Sequence, residues 1–307
     1  MPRLLNDLPR KLWQPVLTAA RARFVPNNGY GVFAFGIGPL IRNGLRAPPM
    51  VLNVYVRRKL TEPRKAVEKL VFEAGRVSWC TTPNVIATGR KARASSGGPP
   101  QYSGLHAGAV VTTRGATHGR GALACLLGTG GDPTHALTAG HLFPSGALGS
   151  SVFAAAAPNA TSHSVGTLVA NFLDQDGVDG AVIALNAAGK RLVRQGGPLL
   201  SDYLPERSVW GKLTCAFLPS ANDFSRQAET EETGLDVHLS APTRGVFVVK
   251  NAVQTDGELT HPGDSGTVLC SGAANELAVG VCSGSTGLHS VFEPFARVFG
   301  LACAQVN

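Results

Sequence analysis

A chain of 307 residues with 44% hydrophobic content has room for one substantial core and a smaller one. Its 37 glycines and 20 prolines, scattered along the chain, suit a turn-rich β protein, and no apolar stretch approaches the length needed to span a bilayer. The net charge of +8 is unevenly spread: residues 1–100 hold 17 Lys and Arg against 4 Asp and Glu, residues 101–307 hold 11 against 16.

The first hundred residues read as a small basic part. Leu5, Leu8, Leu12, Val16 and Leu17 recur at helical spacing, which predicts an amphipathic N-terminal helical segment over residues 1–28 that Pro9 and Pro15 interrupt or cap. Residues 29–93 read as an α+β module, with strands from Tyr30 to Ile37 and Met50 to Val56 joined through Asn43-Gly44. A helix is expected over 63–74, because Val67, Leu70, Val71 and Ala74 share one face. The segment 94–104, with its Ser-Ser-Gly-Gly-Pro-Pro run, reads as a linker to a domain spanning 105–307. The densest basic runs, Arg57 to Lys59 and Arg90 to Arg93, lack interleaved stacking aromatics, which argues against nucleic acid. Docking within the chain or between copies is the better use for such a surface, since the remainder of the chain is acidic.

The second part carries the chemistry. Gly119 to Leu127 reads as a buried strand, and Ala136 to Ala139 as the end of another, after which His141 follows Gly140 at the turn. His135, six residues earlier, opens that strand and is the weaker candidate for a base. Of the three carboxylates in Asp174-Gln-Asp-Gly-Val-Asp179, only Asp179 leads directly into an apolar run, Ala181 to Leu185, and is drawn inward. Asp174 and Asp176 read as solvated loop charges. A calcium loop fails because Gly177 comes too early and no glutamate closes it. Val246 to Val249 is a short β-branched run. His261-Pro-Gly-Asp-Ser265-Gly sets a serine hydroxyl on a glycine-flanked turn, with Asp264 beside it. Such a hydroxyl becomes a nucleophile only with a base, an orienting group and oxyanion donors.

Taken in order, His141, Asp179 and Ser265 with these flanks resemble the chymotrypsin/trypsin-like serine peptidases. Thr138-Ala-Gly-His141 is similar to that family's histidine motif, Asp179-Gly-Ala-Val-Ile-Ala-Leu185 to its aspartate motif and Gly263-Asp-Ser-Gly266 to its nucleophile motif. The resemblance runs from about Leu105 to the C-terminus. It implies a mainly β fold, a chymotrypsin-like double β-barrel preceded by a smaller N-terminal α+β module, in which Leu277 to Gly284 forms the strand beside the substrate and Phe292 to Leu301 the closing helix. It further implies a His-Asp-Ser triad of His141, Asp179 and Ser265, with the backbone N–H groups of Gly263 and Ser265 as the oxyanion hole, and neither cofactor nor metal.

Departures from the family pattern bear on activation and specificity. No basic activation sequence precedes Gly104-Leu-His-Ala-Gly-Ala-Val-Val111, so Asp264 needs a cation other than a freed N-terminus, and Lys212 is the candidate. Leu259 stands where relatives that cleave after Arg or Lys carry an aspartate; with Thr260, Cys282, Ser283, Gly284 and Ser285 it implies a neutral pocket. The expected activity is that of a serine endopeptidase acting on protein or peptide substrates and not cutting after basic residues. The alternative is a catalytically silent, protease-like scaffold that binds a protein or anionic partner through its basic module. Six cysteines, with Leu142 where secreted relatives have one, and an N-terminus broken by charges and prolines point to a reduced, cytoplasmic protein, and the resemblance to non-zymogen members of the family implies a bacterial one.

Overall fold

The computed structural model describes residues 2–24, 31–42, 45–56, 69–87, 104–113, 119–129, 132–154, 164–193, 202–205, 211, 213–218, 223–271 and 277–306. The N-terminal part contains β1 (Arg3–Leu5), α1 (Trp13–Arg23), β2 (Val32–Arg42), β3 (Leu45–Val56), β4 (Leu70–Ala74), β5 (Val77–Thr81) and β6 (Asn84–Ala87). Next come β7 (Val110–Thr113), β8 (Arg120–Thr129), β9 (Asp132–Thr138), β10 (Ser151–Ala154), β11 (Ser164–Asn171), α2 (Phe172–Gln175), β12 (Ala181–Leu185) and α3 (Ala187–Leu192). The last part holds β13 (Asp202–Tyr203), β14 (Leu213–Leu218), β15 (Asp223–Ala241), β16 (Gly245–Thr255), β17 (Val268–Ser271), β18 (Leu277–Ser285), β19 (Ser290–Pro294) and α4 (Phe295–Val306).

Strands β7 to β12 close into a six-stranded barrel in the order β10-β11-β12-β9-β8-β7. A second ring runs β14-β17-β18-β19-β16-β15 and returns to its start through the pairing of β15 with β14. The chain is therefore mainly β, with a chymotrypsin-like pair of barrels and a smaller N-terminal α+β part. The apolar strands lack the usual polar alternation because both of their faces are covered. Along β9, Ala136 points into the first barrel and Leu137 toward the junction; along β17, Val268 takes the junction and Leu269 the second barrel. The junction core is completed by Val182, Val281, and Phe295 and Val298 of α4. Burying each such side chain contributes about 1.5–3 kcal/mol.

Long β15 extends the second ring outward. It pairs with β2, which pairs with β3 and then β6, so strands of the basic part continue the sheet of the second barrel. Helix α1 packs Val16, Leu17 and Ala20 against Phe35 and Leu52 of this extension. Pro15 does not interrupt α1: it sits in the first turn, where its missing N–H costs no hydrogen bond.

The helix expected over 63–74 is corrected: Leu70–Ala74 is a strand, and residues 63–68 lie outside the described residues. Leu70 and Phe72 face inward while Val71 and Glu73 face out, and Gly75, at φ 64°, closes a hairpin to β5 that no helix could make. The closing helix begins at Phe295; Phe292 to Pro294 complete β19. The linker up to residue 103, the two densest basic runs, Asn43-Gly44 and Lys212 lie outside the described residues. Among the described residues no helix is long and apolar enough to cross a membrane.

Candidate active site

His141 sits in a short turn, Gly140–Leu142, that leaves β9 at the barrel junction. Asn171 fixes this turn by donating from Nδ2 to the Gly140 carbonyl at 3.1 Å, while its Oδ1 caps α2 through the Leu173 N–H. The second barrel supplies Ser265 from the loop before β17. That loop is docked on the first barrel, where the Ala122 N–H donates to the Ser265 carbonyl at 2.6 Å, and on β18, where the Gly266 N–H donates to the Cys282 carbonyl.

The three groups singled out in the sequence meet here. Nδ1 of His141 lies 2.8 Å from Oδ2 of Asp179, and Nε2 lies 2.8 Å from Oγ of Ser265. The His141 backbone N–H donates to Asp179 Oδ1 at 2.9 Å. All three side chains are almost completely buried. Burial by itself would push the Asp179 carboxyl up; the charge and hydrogen bond of the His141 ring, the nearby Ser283 hydroxyl and the His141 N–H outweigh it and hold the group below the usual carboxylate range. A carboxylate kept ionised at Nδ1 fixes the tautomer that leaves Nε2 able to accept the Ser265 proton. His135 stays out of this arrangement: its Nδ1 lies 2.9 Å from Thr134 Oγ1 on β9, and partial burial and Lys190 lower its pKa.

The turn carrying the serine is closed on itself. The Asp264 N–H donates to the His261 carbonyl at 3.0 Å, the His261 N–H donates to Asp264 Oδ2 at 2.8 Å, and the Asp264 side chain is fully buried. Gly263 turns the chain at φ 102°, a backbone geometry that strongly favours glycine. Beside this turn, the Leu259 and Thr260 N–H groups both donate to Ser290 Oγ at 2.8 Å, and Leu259, Thr260 and Cys282 are buried. Ser285 Oγ donates to Glu258 Oε1 at 2.7 Å, and Gly284 pairs with Val291 across β18 and β19. Ser283 turns toward Asp179 instead. Its Oγ makes no full hydrogen bond, so the contact with the carboxylate is a weak polar one.

Several neighbours of His141 carry no local signal in the sequence. Phe247 of β16 stacks on its imidazole, with ring centroids 5.2 Å apart and planes at 15°. Thr243 donates from Oγ1 to the His141 carbonyl. Arg244 bonds Ser145 and lies 2.5 Å from Asp174, so Asp174 is ion-paired rather than a solvated loop charge. Fully buried Glu293 accepts the Asp179 N–H at 3.1 Å and an Arg297 donor at 3.2 Å. Its place between Phe292 and Pro294 in an apolar strand is the one sequence mark it bears. Among the described residues no three His, Cys, Asp or Glu side chains are grouped to hold a metal ion.

The chymotrypsin-like double barrel defines the class of fold, and its junction brings together a serine, a histidine and an aspartate. Neither a family model nor a characterised protein matches the chain by sequence. Among solved structures it is similar to a thermostable serine protease, AL20, from an extremophilic microorganism, at 12% identity and a TM-score of 0.38, over 64% of this chain and 94% of that one. It is similar also to a serine protease of a human pathogenic astrovirus, at 14% identity and a TM-score of 0.35, over 64% of this chain and 95% of that one. The fold class itself rests on the strand order and ring closure described above.

Proposed function

We propose that this chain is a serine endopeptidase that cleaves peptide bonds through an acyl-enzyme. The continuous path from Asp179 through His141 to Ser265, each link at 2.8 Å, carries the reading. In this mechanism His141 Nε2 takes the Ser265 proton as Oγ bonds to the substrate carbonyl carbon. The carbonyl electron pair moves to its oxygen, and Asp179 stabilises the imidazolium. Collapse of the tetrahedral species expels the amine, which receives the proton from His141; water then attacks the ester by the same steps in reverse order. The N–H groups of Gly263 and Ser265 are the proposed oxyanion donors, each worth about 3 kcal/mol at the transition state.

Leu259, Thr260 and Cys282 are uncharged and buried, which favours apolar or small side chains on the acyl side of the scissile bond, while the Glu258 carboxylate nearby is held by Ser285 Oγ. Lys212 remains the proposed cation for Asp264. The test is labelling by a fluorophosphonate probe, followed by digestion of a peptide library. Labelling at Ser265 that is lost in His141→Ala and in Ser265→Ala supports the peptidase; a folded wild-type chain that never labels leaves the silent scaffold in its place.

A further inference from the structure

Resting on the peptidase reading, we infer that the basic N-terminal part is a built-in positioning device for His141, acting through the hairpin formed by β15 and β16. The hairpin meets the histidine at three levels. Phe247 covers one face of the imidazole, Thr243 holds the backbone carbonyl, and Arg244 ties the turn to Asp174 and Ser145 beside the histidine loop. The ring is thereby restricted to the plane in which Nδ1 meets Asp179 and Nε2 meets Ser265. An aromatic face also attracts the imidazolium that forms during turnover.

The hairpin is in turn held from the N-terminal part, at an irregular point of its pairing. The register between β15 and β16 shifts between Leu235 and Val237, and Asn251, opposite, has a positive φ of 56°. Arg21 of α1 reaches this point. Its Nε and Nη2 donate to the two carboxylate oxygens of Asp236 at 2.5 and 2.9 Å, and Nη2 also donates to Asn251 Oδ1 at 2.8 Å. The Asn251 N–H completes the cluster by donating to Asp236 Oδ1 at 3.2 Å. The Asp236 side chain is 4% exposed, so removing its cation would leave a buried charge, a strongly unfavourable state.

From Asp236 the influence has a short way to travel. Val237 pairs with Val249 and Leu239 with Phe247, so the ring on His141 lies three residues along the strand, about 10 Å away. Over that span Ala34 and Tyr55 of β2 and β3 share one core with Val237, Leu239 and Phe247, and β2 pairs with β15 beside Asp236. A helix 215 positions earlier in the chain therefore sets the hairpin that sets the histidine.

The test uses the full-length chain with two readouts, amide hydrogen exchange over residues 235–249 and the kinetics of fluorophosphonate labelling at Ser265. Arg21→Met is expected to speed exchange in the hairpin but not in the first barrel, and to lower kinact about tenfold with KI held within about twofold, as a misplaced base requires. Phe247→Leu should lower kinact similarly without loosening residues 235–237, and Phe247→Tyr should restore it, which keeps the inference testable should Arg21→Met fail to fold. Wild-type kinact in a folded Arg21→Met overturns the inference, as does wild-type kinact in Phe247→Leu should Arg21→Met fail to fold, and either result leaves the peptidase standing. If the wild type does not label, the peptidase reading fails on its own; hairpin exchange unchanged in Arg21→Met then overturns the mechanical coupling, and exchange raised only over 235–249 upholds it.

Discussion

Asp179 grips His141 at two points, ring and backbone: Oδ2 lies 2.8 Å from Nδ1, and Oδ1 accepts the main-chain N–H at 2.9 Å. An amide in place of the carboxylate can satisfy only one of these contacts as an acceptor. Asp179→Asn is therefore expected to present its NH2 to the ring, impose the other tautomer and leave Nε2 protonated toward Ser265. The expected loss in kcat is about three to four orders of magnitude. Peptide turnover and probe labelling check it, and a variant within tenfold of wild type would refute the assigned role.

Behind that carboxylate, Glu293 is buried with the Asp179 N–H on one oxygen and Arg297 on the other. Glu293→Gln keeps the size and one acceptor but removes the charge that pairs with Arg297. A loss of about 1–3 kcal/mol is expected in urea unfolding. In a double-mutant cycle with Arg297→Met the two effects should be non-additive, because both act on one ion pair, buried on the Glu293 side. Additive losses would show that Arg297 contributes nothing to holding Glu293.

How much of this was legible in the sequence depends on distance along the chain. His141, Asp179 and Ser265 each stand at the end of a local pattern, a strand with a glycine-rich turn, and their order alone points to one site. Gly119 to Leu127, Ala136 to Ala139 and Val246 to Val249 were readable for the same reason, whereas the double barrel and the strand from Leu277 to Gly284 followed from the family resemblance and long β15 from neither. Contacts between residues far apart leave no such pattern: nothing near Phe247 marks it as the ring that covers His141, and nothing near Arg21 points to Asp236. Residues 70–74 were misread because Leu70, Val71 and Ala74 fit a helical face as well as Leu70 and Phe72 fit a strand, and the hairpin partner that decides the matter lies in β5. The continuation of the second barrel into β2 and β3 was hidden likewise, since sheet neighbours are not written in either strand.

Gly266 follows the serine at φ 87°, and a Cβ added there would stand 2.2 Å from the Ala122 carbonyl oxygen and 2.6 Å from Thr138 Oγ1. Both neighbours belong to the first barrel, and the first is rigid backbone. Gly266→Ala must therefore push the loop carrying Ser265 away from β8, straining the Ala122-to-Ser265 hydrogen bond at 2.6 Å. The expected outcome is a destabilisation of about 2–4 kcal/mol together with loss of labelling. Ordinary thermal stability with full labelling would contradict the docked geometry of this loop.

The ion pair between Arg244 and Asp174 makes stability depend on pH in a definite direction. The hydrogen bond and charge of Arg244 hold the Asp174 carboxyl below its ordinary range despite some burial, and the contacts of Asp179 with His141 do the same there. A carboxyl whose folded pKa is depressed binds fewer protons folded than unfolded, so its contribution is fully present above the ordinary value of about 3.9 and is lost as pH falls through the folded value. Wild type should therefore lose stability steeply below about pH 4. Asp174→Asn should be weaker by about 0.5–1 kcal/mol at pH 7, the range of a partly exposed pair. The gap should close on acidification, because wild type then loses the same pair. Urea midpoints at pH 7, 5 and 3, about one pH unit above and below the ordinary carboxylate value at the lower two, decide it: a gap that stays constant or widens toward acid would mean that Asp174 acts through packing and not through its charge.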